Sequence, residues 1–249
     1  KAARSFPAGS SGGPDGIRPQ HLLDLLTCRE GGQNLLSVIT MFVNNLLDGK
    51  CHPDVIPILF GGNLIALEKK TGGVRPIAIG YVWRRLAAKC ANTHAVSRLS
   101  GLFSPRQLGV GVPGGCEAAV HATRRFVQSM PDDYVVAKLD FSNAFNTLHR
   151  DAMLQSVIEE IPEIYKFCHL AYNNPSSLKF GNFTILSQEG PQQGDPLGPL
   201  LYCLPTHKIL TSIHSEIVAG YMDHLTLGAE AGVVADDIEF IRSEGEAIG

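Results

Sequence analysis

Two aspartates stand at the ends of apolar runs, where a strand has a use for a charge. Asp140 closes "VVAKLD" and Asp223 follows "VAGYM". If the strands are neighbours, both carboxylates project at one sheet edge and can share divalent cations. Mg²⁺ takes hard oxygen ligands and leaves positions for phosphate. A metal pair can clamp the attacking and leaving oxygens of an in-line displacement. The competing reading has each Asp as a strand-end or turn residue. A third position matters because of what it lacks: His224 follows Asp223, offering nitrogen and no negative charge where Mg²⁺ prefers oxygen.

Cations cluster elsewhere. Lys69, Lys70 and Arg75 crowd around Gly72-Gly73, so a tight turn can bring their side chains onto a triphosphate, Arg in bidentate pairing and Lys as a point charge. A solvated basic hairpin tip has the same composition. Charge is unevenly distributed along the 249 residues: 61–125 carry ten Lys/Arg and two Glu, whereas 129–249 carry six Lys/Arg and seventeen Asp/Glu. That asymmetry suits a protein holding polyanions at one face and cations at another, and equally suits two differently charged solvated faces.

The elements that position these groups are legible from periodicity and punctuation. Helical patterning runs from Pro19 to Leu47, over 82–99, over 116–128 and at about 150–172. Residues 62–80 form a β-hairpin with a basic tip, 177–190 a second, and "EIVAGYMDHLTLG" a third. "DDYVVAKLDF" (132–141) reads as a buried strand ending on a carboxylate. Asp195-Pro196 opens a helix, with Asp as cap and Pro in the first turn. "VVADDIEFIRSEGEAIG" begins a last helix, with Asp236 and Asp237 in its acidic first turns. Strands and helices mix without regular βαβ alternation, which favours α+β over a doubly wound sheet.

Other classes are excluded or weakened. No run of eighteen apolar residues predicts a membrane span. The N-terminus lacks a signal-peptide core and an initiator Met, and reads as part of an internal fragment. Six scattered cysteines without C-x-x-C spacing read as reduced thiols of an intracellular protein. "GVGVPG" (109–114) fits G-x-G-x-x-G, but no apolar strand precedes it and Pro113 interrupts it. The helix carrying Arg84, Arg85, Lys89 and Arg98 reads either as a tracker of a nucleic-acid backbone or as a solvated face.

Four segments together carry a family resemblance. "LIALEKKTGGVRPIAIG", "VVAKLDFSNAFNTLHRDAML", "SLKFGNFTILSQEGPQQGDPLGPLLY" and "GYMDHLTLG" occur in the order and spacing of reverse transcriptase motifs. From about Gly13 to Gly249 the chain resembles the polymerase domain of a non-LTR, LINE-like retrotransposon. The resemblance implies a right-hand polymerase with fingers at 1–130 and palm at 131–249. The palm would be an antiparallel sheet with helices, and a finger-type hairpin would lie near 176–190. It implies RNA-directed DNA polymerisation on an RNA template and DNA primer, using deoxynucleoside triphosphates and two Mg²⁺ ions, with Mn²⁺ as a possible substitute.

Residue by residue, Asp140 matches the metal-binding carboxylate of the first palm strand, and Phe141 the place whose carbonyl helps hold a metal. Asp223 matches the first carboxylate of the Tyr-x-Asp-Asp hairpin. Lys69 and Arg75 match finger residues gripping the triphosphate, and Gln193 and Gly194 the loop beside nucleotide and template. Phe145 sits where an aromatic ring crowds the sugar 2′ position. Two departures bear on activity: the hairpin reads Tyr221-Met222-Asp223-His224, and the sequence stops at "SEGEAIG", before the expected thumb. The alternative is therefore a catalytically inactive fragment that at most binds nucleic acid.

Overall fold

The computed structural model describes residues 1–70, 72–99 and 101–249; Thr71, in the expected tip of the first hairpin, lies outside the described residues. Along the chain, α1 (Pro19–Thr27), α2 (Gly32–Leu47) and the single turn α3 (Ile56–Leu59) lead to a hairpin of β1 (Gly62–Glu68) and β2 (Val74–Gly80). Next come α4 (Val82–Arg98), α5 (Gly115–Ser129), β3 (Tyr134–Asp140), the single turn α6 (Ala144–Thr147), α7 (Arg150–Glu160) and α8 (Tyr165–Tyr172). A hairpin of β4 (Ser176–Phe180) and β5 (Phe183–Ser187), helix α9 (Gly198–Thr211), a hairpin of β6 (Ile217–Tyr221) and β7 (His224–Glu230), and α10 (Ala231–Ile248) complete the order. The architecture is α+β. The helical pattern over 19–47 is two helices because Gly31, at φ +82°, takes a left-handed turn that helix cannot continue through.

The chain forms two compact units, residues 1–94 with 162–198 and residues 95–161 with 199–249. In the first, four strands order β2-β1-β4-β5. The β1–β2 pairing runs from Gly62↔Gly80 to Glu68↔Val74, which sets Leu67 opposite Arg75. Gly72 and Gly73, at φ +85° and +86°, give the connection the left-handed backbone that other side chains resist. β1 continues in parallel into β4 through Gly62↔Leu178.

This unit holds a buried polar cluster. Arg84 is 2% exposed, and its Nη2 lies 2.8 Å from Asp195 Oδ2. Arg84 also donates to the Phe60 carbonyl at 2.9 Å, to the Gln192 side-chain carbonyl, and to the Tyr172 hydroxyl at 3.2 Å. Tyr172 donates to Asp195 at 2.5 Å, while Asp195 Oδ1 accepts from Leu197 N–H at 2.9 Å. The helix expected to open at Asp195-Pro196 begins at Gly198, so Asp195 Oδ1 closes the turn that leads into it and the other oxygen serves the ion pair. Burial opposes the Arg84 charge, but the Asp195 carboxylate and its hydrogen bonds more than offset this, and the pKa of Arg84 is raised. Burial, then the charge of Asp195, pushes the Tyr172 phenol well up, so it stays a donor.

For Arg84, Arg85 and Lys89 both readings of the basic helix therefore need correction, whereas Arg98 is exposed. Arg84 is neither solvated nor free for phosphate. Arg85 donates to the Ser11 carbonyl at 2.6 Å and Lys89 to that of Ser5 at 3.1 Å, with the Phe6 ring packed beneath both cations. These charges fasten the N-terminal segment.

In the second unit three strands order β3-β7-β6, both pairings antiparallel. Alternation along β7 sends Leu225, Leu227 and Ala229 into a core with Ile209, Leu210, Ile213, Val234 and Ile241 of α9, its exit and α10. The opposite face meets α5: a Cβ on Gly228 would stand 2.5 Å from the Phe126 ring, so only glycine permits that approach. Because α5 packs on β6, residues on both sides of position 130 share this unit. β3 is an edge strand, with Val135 38% and Val136 36% exposed, not the buried strand that its apolar run predicts. An unbroken apolar run cannot distinguish a central strand from a half-covered edge.

Asp237 also departs from expectation. It lies in the second turn of α10, buried, and accepts from the His214 and Ser215 backbone N–H groups at 3.0 and 2.7 Å and from the Ser215 hydroxyl at 2.6 Å. It therefore fastens the entry to β6 instead of completing a helix dipole.

The six cysteines are free thiols. Burial pushes Cys168 and Cys203 strongly upward, so both stay protonated core groups. No described helix is long and apolar enough to cross a membrane.

Two stability predictions follow from the buried polar groups. Arg84→Met strands the Asp195 charge in the interior, a loss of about 3–5 kcal/mol, read as a lower urea midpoint. For Asp237, burial would raise the carboxyl, but its backbone and Ser215 donors outweigh it and the pKa is lowered. Its contribution is full above the unfolded value of about 3.9 and is lost as pH falls through the lower folded value. The stability gap between the wild type and Asp237→Asn is therefore largest near pH 6 and narrows below about pH 4, measured by urea unfolding across that range.

Candidate active site

The β3–β7 register places the candidate residues at one end of the three-stranded sheet. Pairing runs from Tyr134↔Glu230 to Asp140↔His224, and β6 returns opposite through Tyr221↔His224. Met222 and Asp223 are the two-residue turn between them. Past Asp140, the Phe141 N–H donates to the Asp223 carbonyl at 3.3 Å. Asp140, Phe141, Asp223 and His224 thus occupy adjoining backbone positions, although the two aspartates are 83 positions apart in sequence.

Asp140 is occupied. Its Oδ1 lies 3.1 Å from His224 Nδ1, with both side chains more than half exposed. Asp140 and Asp223 bring two carboxylates to this end of the sheet, and His224 an imidazole. Among the described residues no group of three or more His, Cys, Asp or Glu side chains is arranged to hold an ion.

Beside the carboxylates, Phe145 stacks on Tyr202 with ring centroids 4.7 Å apart and planes 26° from parallel. Tyr202 is buried, and its phenol is pushed strongly up by burial first, with the charges of Cys203, Asp223 and Asp140 adding to it. It is therefore a neutral ring facing the aspartates' field, with Phe145 laid along it. The Phe145 backbone sits in α6, entered through Asn143 at φ +56°, a left-handed residue at which Asn is tolerated.

The remaining expected residues lie in the other unit. Lys69 and Arg75 are exposed at the turn end of the β1–β2 hairpin, where the Lys69 N–H donates to the Gly73 carbonyl at 3.0 Å. The Gln193 carbonyl accepts from Ala78 N–H at 2.7 Å. Gly194, at φ +117°, sits so close that a Cβ would be 2.4 Å from the Ala78 carbonyl oxygen. The Gln-Gly loop is therefore docked on β2, the strand that carries Arg75. Arg84, through Gln192 and Asp195, grips that loop on either side of Gln193-Gly194.

Gln107 was not singled out by sequence reasoning. It is fully buried, and its Oε1 accepts from the Met222 and Gly109 N–H groups at 2.9 and 3.0 Å. Its Nε2 donates to the Met222 carbonyl at 3.2 Å. Gly109, the first glycine of "GVGVPG", has Met222 where a Cβ would be, at 2.8 Å. The one signal in the sequence was a glycine following "QL" without a dinucleotide-binding strand.

Comparison with known proteins agrees with this arrangement of sheet, turn and hairpins. The family described as "Reverse transcriptase (RNA-dependent DNA polymerase)" matches residues 67–238, and the chain belongs to that family. Among solved structures it is similar in fold to a telomerase from Candida albicans in complex with a fragment of telomeric RNA, with TM-score 0.56 and 11% identity over 77% of this chain and 41% of that one. It is also similar to apo telomerase from Candida tropicalis, with TM-score 0.54 and 9% identity over 75% and 42%. The form of that protein truncated from its C-terminal domain gives TM-score 0.52 and 12% identity over 75% and 46%. The chain spans less than half the length of each. A search of curated proteins found no match.

Proposed function

We propose that this chain is the fingers-and-palm part of an RNA-directed DNA polymerase of non-LTR, LINE-like type, with its chemistry impaired at His224. The observation that carries the reading is the Asp140↔His224 register pair with Asp223 in the adjoining turn. In this reading residues 1–130 and the hairpin near 176–190 supply the fingers, and the rest of 131–249 the palm. An RNA template, a DNA primer and deoxynucleoside triphosphates are the partners.

Asp140, Asp223 and the Phe141 carbonyl hold a divalent cation; bound there, it would favour the deprotonated primer hydroxyl and offset phosphate charge. Lys69 and Arg75 bind the triphosphate, Arg75 through its planar fork. Gln193 and Gly194 line the nucleotide position on a loop made rigid by its docking to β2. Phe145 excludes a ribose 2′-hydroxyl, its ring held in place by the stack on Tyr202.

His224 weakens this site in two ways. It removes one anionic oxygen, and it draws on Asp140 through the 3.1 Å contact. A second cation, which must bind against repulsion from the first, loses most.

The alternative, a catalytically inactive fragment that at most binds nucleic acid, rests on the same contact. Primer extension on an RNA template, with Mg²⁺ and separately with Mn²⁺, decides between them. The expected result is poor extension by the chain as it stands and a gain of at least about tenfold on His224→Asp, the order expected for a restored group at a metal site. Equal, strong Mg²⁺-dependent extension by both forms would falsify the impaired site; no extension by either in both metals favours the inactive fragment.

In the His224→Asp background, Phe145→Ala should admit ribonucleotides, raising their use relative to deoxynucleotides by about 10- to 100-fold, the value of roughly 1–3 kcal/mol of lost steric discrimination. Unchanged discrimination would remove Phe145 from that role.

A further inference from the structure

Three features converge on the turn that carries Asp223. Met222, a non-glycine residue, is held at φ +55°, a conformation costing roughly 1–2 kcal/mol in an L-residue. Such strain persists only where the surroundings over-determine it. On one side the turn is open, where a cavity of about 90 Å³ borders Phe141, Met222 and His224; on another, Gly109 packs closely against Met222. Besides the β6–β7 ladder and the Phe141 N–H bond to the Asp223 carbonyl, the turn is held by the Gln107 amide, which takes both the N–H and the C=O of Met222.

The clamp is itself well fixed. Gln107 donates its backbone N–H to the Phe103 carbonyl at 2.7 Å, and the flanking Arg106 carbonyl and Leu108 N–H bond Gly220 of β6, each at 2.7 Å. Arg106 in turn donates to the Ile213 carbonyl at 3.0 Å. The segment therefore lies as a short extra rung along β6, with its one amide side chain turned onto the hairpin tip. Gly109 completes the cradle, since any larger residue there would collide with Met222.

We infer that Gln107 is a positioning residue for Asp223: by gripping the Met222 peptide from both sides it sets the direction in which the neighbouring carboxylate leaves the turn. The inference rests on the proposed metal-binding role of Asp223. Gln107 makes no contact with the reacting groups, so its effect reaches them only through the turn. A side chain of equal length without polar atoms would leave the Met222 N–H and C=O unpaired and let the turn relax from its left-handed geometry. Glutamate would preserve the acceptor and lose the donor.

The test compares the full chain with Gln107→Met and Gln107→Glu, and with Ile241→Ala, which loosens the same core from α10 without touching the turn. Two quantities are read: amide hydrogen exchange at Met222 and Gly109, and Mn²⁺ affinity by titration. Gln107→Met should speed exchange at both amides and weaken Mn²⁺ about tenfold or more, as removal of an outer partner does at metal sites. Gln107→Glu should retain most of the amide protection. Ile241→Ala should lower the melting temperature while leaving both readouts near wild type. Unchanged exchange and unchanged Mn²⁺ affinity in Gln107→Met would overturn the inference, as would equal losses in Ile241→Ala. If Gln107→Met fails to fold, Gln107→Glu still decides: protection lost at Met222 although the acceptor is kept overturns it. Should the wild type bind no Mn²⁺, the metal reading of Asp223 falls, while exchange at Met222 and the Asp223 chemical shifts still judge the clamp.

Discussion

Seven consecutive antiparallel pairs between β3 and β7 govern everything at the candidate site. Strand side chains alternate faces with period two, so a slip of one residue would turn Leu225, Leu227 and Ala229 out of the core and carry His224 away from Asp140. Burial of that apolar set against α9 and α10 therefore fixes the register. The placement of Asp140 beside the turn is a consequence of hydrophobic packing three to seven residues away. This is why the Asp140 carboxylate can be largely exposed and still be well located.

The two units solve a similar problem with different chemistry. In one, a loop is held by a buried ion pair whose remaining valences are filled by Tyr172, Gln192 and a backbone carbonyl. In the other, the Met222 peptide of a turn is gripped by one neutral amide. The ionic solution tolerates no loss of a partner, since a lone charge in the interior is costly. The amide solution fails more gently, because a freed peptide at a turn can reach water.

Much of this was legible from sequence, and the exceptions share a cause. The three hairpins, the α+β class and the last helix follow from local alternation and turn residues, which the chain displays within a few positions. Asp140 and Asp223 were legible because a carboxylate ending an apolar run is a local oddity. Arg84, Gln107 and Asp237 were not, since each makes sense only through partners 22 to 115 residues distant. A basic residue on a helix, a glutamine after a proline-containing loop and an acid in an acidic stretch have unremarkable local reasons to exist. The edge position of β3 escaped for a related reason: strand order is a property of the sheet and leaves no mark in the strand's own residues.

That edge has a consequence for the molecule's behaviour in company. The outer side of β3 offers a row of backbone donors and acceptors flanked by Val135 and Val136, each more than a third exposed. Such an edge can template a strand from a second molecule. Within it, Lys138 is the lone cation, and a charge there repels an identical edge brought alongside in register. Because a single exposed charge is screened within a Debye length, about 8 Å at physiological ionic strength, that guard weakens as salt rises. The conditions that mute electrostatics between copies of this chain are then those in which its sheet is most open to self-association.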